Sequence, residues 1–271
     1  MYVNTKEILL SAKSGKYSIV AADVWNLDSA SIFVETAIEN NMPLIVMFAE
    51  TNSYSIADAE EVCVLVKYLA SKTDVPIAMQ LDHGTSVSSI IKSSQMGFSS
   101  VMIDASKLPF EENVIITKEI VRIAHACNIT VEAELGHVGT GLKINDTNVL
   151  TVPEEAKEFV KQTNVDSLAV AIGTVHGPYK EKPNIDVNLL RDIANIVDVP
   201  LVLHGGSGTG MKILKEVSMN GISKINVFTD LYLASKNAIN DEDTHFNISM
   251  RDALKKCLKT YFEGVSKPWI I

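Results

Sequence analysis

Apolar and β-branched residues gather along this chain in eight short blocks: Ser18–Ala22, Pro43–Phe48, Pro76–Leu81, Ser99–Ile103, Ile129–Glu134, Ser167–Ile172, Pro200–Leu203 and Ser223–Val227. Their near-continuous apolarity marks strands buried on both faces, the habit of parallel sheets. Between them run amphipathic stretches at helical spacing, among them Ser29–Asn40, Ala57–Ser71, Phe110–Cys127, Pro153–Thr163 and Asn188–Ile196. Pro153 followed by two glutamates is a helix start, because proline lacks the N–H that a first turn leaves unpaired. Eight strand–helix units in one chain predict an α/β fold closed as a (β/α)₈ TIM barrel, a single domain over residues 1–271. An open doubly wound sheet is the alternative, disfavoured because none of the eight blocks reads as an edge strand. The tail from Asp241 predicts a C-terminal helical extension, Met250–Phe262. The longest polar insertion, Gly136–Asn148, follows the fifth block and has the length of a functional loop.

The polar residues fall just past the strand ends. Asp82 and His83 follow the third block, Asp104 the fourth, and Glu134 ends the fifth. His176 follows the sixth, His204 the seventh, and Asn226 lies at the end of the eighth. In a barrel all of these reach one rim, the C-terminal mouth where active sites sit. Three histidines from three strand ends suit a catalytic Zn²⁺, which takes three protein ligands and keeps one position open. Singly, each histidine would read as an ordinary loop residue; His83, His176 and His204 together point to a metal. His125, His137 and His245 read as ordinary polar residues. HGPYK (176–180) and HGGSG (204–208) add glycines whose backbone N–H groups can approach a phosphate, at loops where barrels bind one. Asn226 and Thr229 complete that corner with neutral hydrogen-bonding groups. Asp82 can move a proton to or from a substrate hydroxyl, or serve only to orient a histidine.

Composition narrows the rest. The net charge of −9 disfavours nucleic acid and anionic membranes as partners and demands a local positive site for an anionic substrate. The cysteines, Cys63, Cys127 and Cys257, are isolated and odd in number, which fits a reducing compartment without disulfides. No long apolar stretch opens the chain, so a cytoplasmic location is expected.

These residues resemble the class II fructose-bisphosphate and tagatose-bisphosphate aldolases. The motifs are QLDHG (80–84), GFSSVMIDAS (97–106), VEAELGHVG (131–139), AIGTVHGPYK (171–180), PLVLHGGSG (200–208) and KINVFTDL (224–231). The resemblance spans nearly the whole chain, and the length is similar to the shorter, tagatose-bisphosphate type. It implies that a ketose bisphosphate is cleaved reversibly to dihydroxyacetone phosphate and an aldehyde through a zinc-stabilised enediolate. It also implies that His83, His176 and His204 hold zinc and that Asp82 handles the hydroxyl proton. Asp104 and Glu134 match a second or alternative metal site. Gly177, Lys180, Gly205, Ser207, Asn226 and Thr229 match the pocket for the dihydroxyacetone-phosphate phosphate, beside which some members bind Na⁺ or K⁺. A homodimer or homotetramer is the family expectation.

Several positions depart from the family pattern. AAD replaces AFN at the first strand, so Asp23 stands for a substrate-contacting asparagine. Ala49 stands for a serine, and Phe228 for aspartate or a small residue. In the long loop, Leu142 and Lys143 replace the usual glutamate, with Asp146 further on, and the tail reads DEDTHF where many members carry DPR. These changes cluster on the aldehyde half of the substrate. Either that half is not glyceraldehyde 3-phosphate in the usual pose, Asp23 repelling a phosphate while binding hydroxyls, or His245, Lys143 or a partner subunit supplies the missing charge. A phosphorylated deoxy-ketogluconate as substrate, or a non-catalytic sugar-phosphate-binding subunit, stay open as alternatives.

Overall fold

The computed structural model describes residues 1–50, 57–139, 149–179, 183–239 and 246–270. Lys180, Leu142, Lys143, Asp146 and His245 lie outside them. Eight parallel strands close into a barrel in sequence order: β1 (Ile19–Asp23), β2 (Leu44–Ala49), β3 (Ile77–Gly84), β4 (Ser100–Ile103), β5 (Thr130–Leu135), β6 (Ser167–Val170), β7 (Leu201–Leu203) and β8 (Ile222–Val227). The expected closed barrel is therefore present and the open-sheet alternative is excluded. Each predicted block overlaps a strand, with its ends within three residues of the strand's.

Helix α1 (Lys6–Gly15) precedes the barrel. The others surround it: α2 (Leu27–Glu39), α3 (Ala59–Ala70), α4 (Val87–Met96), α5 (Phe110–Ala126), α6 (Pro153–Thr163), α7 (Val187–Ile196), α8 (Met211–Met219), α9 (Thr229–Ile239) and α10 (Phe246–Val265). Local chemistry sets their starts. Asn26 with Ser29, Asp58 with Glu61 and Ser86 with Ser89 form reciprocal capping boxes that satisfy first-turn N–H groups. Among the described residues, no helix is long and apolar enough to cross a membrane.

Successive strand side chains point to opposite faces, and the apolar core divides accordingly. Outward-facing Val20, Ala22, Leu44, Val46, Ile77 and Met79 join the helices in one large buried cluster. Inward-facing Ile19, Ala21, Ile45, Met47 and Ala78 form a second with Ile8, Leu9 and Ala12 of α1. Thr5, just before α1, bonds Thr130 and approaches Ser100, the first residues of β5 and β4. Helix α1 thus plugs the N-terminal end of the barrel and leaves the opposite mouth for polar groups. Towards that mouth lie Gln80, Glu132 and Lys224, midway along their strands, then Asp82, Glu134 and Asn226, two residues further along the same strands.

Candidate active site

Strand β3 delivers two consecutive polar side chains to the mouth, which a regular strand cannot do. Its pairing with β4 shifts register between Leu81 and Gly84, and His83 adopts a left-handed φ of 49°. That conformation costs a non-glycine residue free energy and persists where the surroundings enforce it. Gly84 follows because any Cβ there would meet the Met102 carbonyl oxygen at 2.6 Å.

The three predicted histidines converge. His204 Nδ1 lies 3.2 Å from His83 Nε2 and 3.3 Å from His176 Nε2, with the rings edge to face. The outer nitrogens show which atoms carry hydrogen. His176 Nδ1 donates to the Val138 carbonyl at 3.0 Å, His83 Nδ1 to Asp104 Oδ2 at 2.9 Å, and His204 Nε2 to Glu132 Oε1 at 3.0 Å. With its outer nitrogen engaged, each ring turns its inner nitrogen to the common centre, where it offers a lone pair once the ring is neutral. Three such nitrogens facing one point call for a positive charge between them, a proton or a metal ion. Ligand atoms of His83, His176 and His204 fall within 4.8 Å of one another, and so do those of His83, Asp104 and Glu134.

Charge supports the same reading. Asp82, Asp104, Glu132 and Glu134 crowd the interior, with Lys224 paired to Glu132 at 2.8 Å. Burial alone would hold the His83 imidazole low, but Asp82, Asp104 and Glu134 outweigh it and push it up to about 10. His176 goes the other way, down to about 4, through burial and its two histidine neighbours. Burial opposes ionisation of Glu132, yet Lys224 and His204 bring it down to about 2. Burial likewise opposes ionisation of Glu134, which His137 and His204 nevertheless hold below the usual carboxylate range. A divalent cation fits this donor set of three imidazoles among carboxylates.

Asp82 is 4% exposed, and its Oδ2 lies 3.8 Å from His83 Nε2. Asp23 sits nearby, and burial together with Asp82 raises its carboxyl well above the usual range. The shift favours the protonated form of Asp23, in which it can donate a hydrogen bond to a ligand oxygen. Asp23 Oδ1, Glu134 Oε2 and Asn226 Oδ1 are buried without a hydrogen-bond partner among the described residues, as oxygens awaiting a ligand would be.

Of the residues expected to bind phosphate, Gly177, Gly205, Ser207, Asn226 and Thr229 lie on or beside the loops after β6, β7 and β8. Gly177 and Gly205 adopt φ of 86° and 68°, and a Cβ on Gly205 would meet the Val175 carbonyl oxygen at 2.3 Å. Ser207 Oγ accepts from the Phe228 and Asp230 amides, and Gly208 N donates to Asp230 Oδ2. Thr229 opens α9, whose N-terminus adds positive potential. Phe228 packs with Trp25 and Tyr232 in an aromatic cluster, which accounts for its departure from the pattern.

Several participants escape the sequence reading. Glu132, Lys224 and Gln80 lie directly beneath His204; charged residues inside otherwise apolar strands were their signal. Tyr179 ties the loops together, its hydroxyl donating to the Gly205 carbonyl. His137, read as an ordinary polar residue, is buried, bonds Ser106 and lies 3.5 Å from Glu134. His125 does pair superficially, with Asp166.

The model of the class II fructose-bisphosphate aldolases matches residues 3–268. The YdjI aldolase of Escherichia coli K12 is 33% identical, with a TM-score of 0.88 over 99% of this chain and 100% of that one. A provisional fructose-1,6-biphosphate aldolase from Coccidioides immitis is 25% identical, with a TM-score of 0.87 over 95% and 94%. The fructose-bisphosphate aldolase of Campylobacter jejuni shares the fold at 22% identity and a TM-score of 0.82, over 97% and 95%. With matching barrel, mouth and motifs, this chain belongs to the class II fructose-bisphosphate aldolase family.

Proposed function

We propose that this chain is a zinc-dependent aldolase that reversibly cleaves a ketose phosphate to dihydroxyacetone phosphate and an aldehyde. One observation carries the reading: three imidazole nitrogens converge on one point beside the buried carboxylate of Asp82. Bound by His83, His176 and His204, zinc would supply a Lewis acid for the electron pair released when the carbon–carbon bond breaks. Asp82 takes the proton from the hydroxyl of the carbon that becomes the aldehyde. The O–H pair becomes the second bond of the new carbonyl, and the carbon–carbon pair leaves with the dihydroxyacetone-phosphate half. In the reverse direction Asp82 returns the proton. Asn226 Nδ2 holds the Asp82 carboxylate from across the barrel. The glycine loops and the start of α9 orient the phosphate, and the family resemblance assigns Lys180 to meet its charge. Asp104 and Glu134 border an alternative ion position with His83, and Na⁺ or K⁺ beside the phosphate is part of the same proposal. The enzyme would work in the cytoplasm as a homodimer or homotetramer.

A retro-aldol assay with metal analysis tests this. A chelator should abolish cleavage, and borohydride with substrate should trap no adduct. A borohydride-trapped lysine would reject the mechanism.

A second reading concerns the aldehyde half, favoured by the buried carboxyl of Asp23, whose Oδ1 has no hydrogen-bond partner among the described residues and whose protonated form burial and Asp82 favour. A hydrogen-bonding carboxyl at that wall suits an unphosphorylated polyol aldehyde, making the substrate a ketose 1-phosphate. Much faster cleavage of fructose or tagatose 1,6-bisphosphate than of ketose 1-phosphates would refute it.

A further inference from the structure

Barrel interiors are ordinarily filled by branched apolar side chains. Here three polar side chains stand inside the barrel, and Gln80, Glu132 and Lys224 are at most 1% exposed. Burying such an ion pair seldom adds stability over apolar residues of the same volume, because both charges are stripped of water. Stability therefore does not explain them.

Their hydrogen bonds do. Glu132 Oε2 accepts from Lys224 Nζ at 2.8 Å and from Gln80 Nε2 at 3.1 Å, so the carboxylate cannot turn. Its other oxygen, Oε1, is left for His204 Nε2 at 3.0 Å. Asn226 Nδ2, 3.3 Å from that same nitrogen, is also within reach of Asp82 Oδ1. His83 and His176 are bonded through Nδ1 and present Nε2, whereas His204 is bonded through Nε2 and presents Nδ1. The third ring is thus mounted the other way round, and the fixed carboxylate beneath it accounts for that.

We propose that Glu132, held by Lys224 and Gln80, is a positioning residue that fixes His204 with hydrogen on Nε2 and thereby aims its Nδ1 lone pair at the ion site. The proposal rests on the zinc reading above. A carboxylate on the far nitrogen of a ligating histidine sets its tautomer and strengthens the ligand. The same side chains give the ligand a rigid foundation reaching across β3, β5, β7 and β8.

Glu132→Gln keeps the shape but offers one acceptor oxygen, which Lys224 claims, and turns an amide N–H₂ toward His204. Glu132→Leu with Lys224→Met removes both charges and the acceptor together. Zn²⁺ affinity is measured by chelator competition for wild type and both variants. The Co²⁺-substituted visible spectrum and the ¹⁵N imidazole spectrum of the metal-free protein are recorded alongside. Both variants should bind Zn²⁺ about 10- to 100-fold more weakly, with an altered Co²⁺ spectrum and the His204 proton moved off Nε2. A folded variant that binds Zn²⁺ as wild type does, with an unchanged Co²⁺ spectrum, overturns the proposal. If neither variant folds, the wild-type imidazole spectrum decides: hydrogen on Nδ1 of His204 overturns it, hydrogen on Nε2 supports it. A wild-type chain without Zn²⁺ affinity overturns the zinc reading itself, and the same titration tells the two failures apart.

Discussion

Asn226 reaches from β8 to Asp82 on β3, its Nδ2 donating to Oδ1 at 3.3 Å. The carboxylate proposed to move the proton is therefore gripped by a strand on the far side of the barrel. Asp82→Asn removes the proton acceptor while leaving the three imidazoles in place. Cleavage should fall about 10²- to 10⁴-fold in kcat, the usual worth of a general base, with zinc content unchanged. Unaltered turnover would remove Asp82 from the mechanism.

His83→Ala deletes one of three converging imidazole nitrogens. Bound zinc should drop from about one ion per chain, expected of a three-ligand site, to a small fraction, with activity lost and the circular dichroism spectrum retained. Elemental analysis of the purified variant checks this. Full zinc occupancy would reassign the site.

Ion uptake should release a proton. His83 is pushed up to about 10 in the metal-free protein, so it carries a proton at neutral pH that must leave before Nε2 can ligate. His176, down at about 4, has none to lose. Calorimetry at pH 7.5 in buffers of different ionisation enthalpy should count about one proton released from His83. Affinity should rise with pH until His83 is deprotonated. Pure pH independence between neutrality and pH 9 would contradict the site as described.

Asp23→Asn should stabilise the metal-free protein more as pH rises. A carboxyl whose folded pKa is raised binds its proton more tightly when folded, so stability is lost as pH climbs from its unfolded value through its folded one. Asparagine cannot ionise and escapes that loss. The gain in Tm should reach a few degrees at pH 8, about 2–4 °C for each kcal/mol in a chain of this size, and shrink at pH 5. Equal gains at both pH values would show that Asp23 does not titrate this way.

Much of this was legible in the sequence because a buried parallel strand leaves a nearly unbroken apolar block, and because polar residues at block ends are conspicuous. His83, His176 and His204 were visible for that reason, and so was Asp82. The residues beneath them were not, since Glu132 and Lys224 read as ordinary charges until alternation along β5 and β8 turns them inward. Helix α1 was equally hidden: KEILLSAKSG has few apolar residues, and its role at the barrel base depends on β1–β3 side chains distant in the chain. The burial of His137 was hidden too, because its Ser106 and Glu134 neighbours come together only in the fold.

The register slip in β3 has one more consequence. Because Asp82 and His83 are covalent neighbours on one strand, the proposed proton carrier and the proposed ligand travel as a unit, whatever the rim does. On that reading reactivity is anchored in the staves of the barrel, and the loops around it are free to diverge toward new aldehydes without retuning the bond-breaking step.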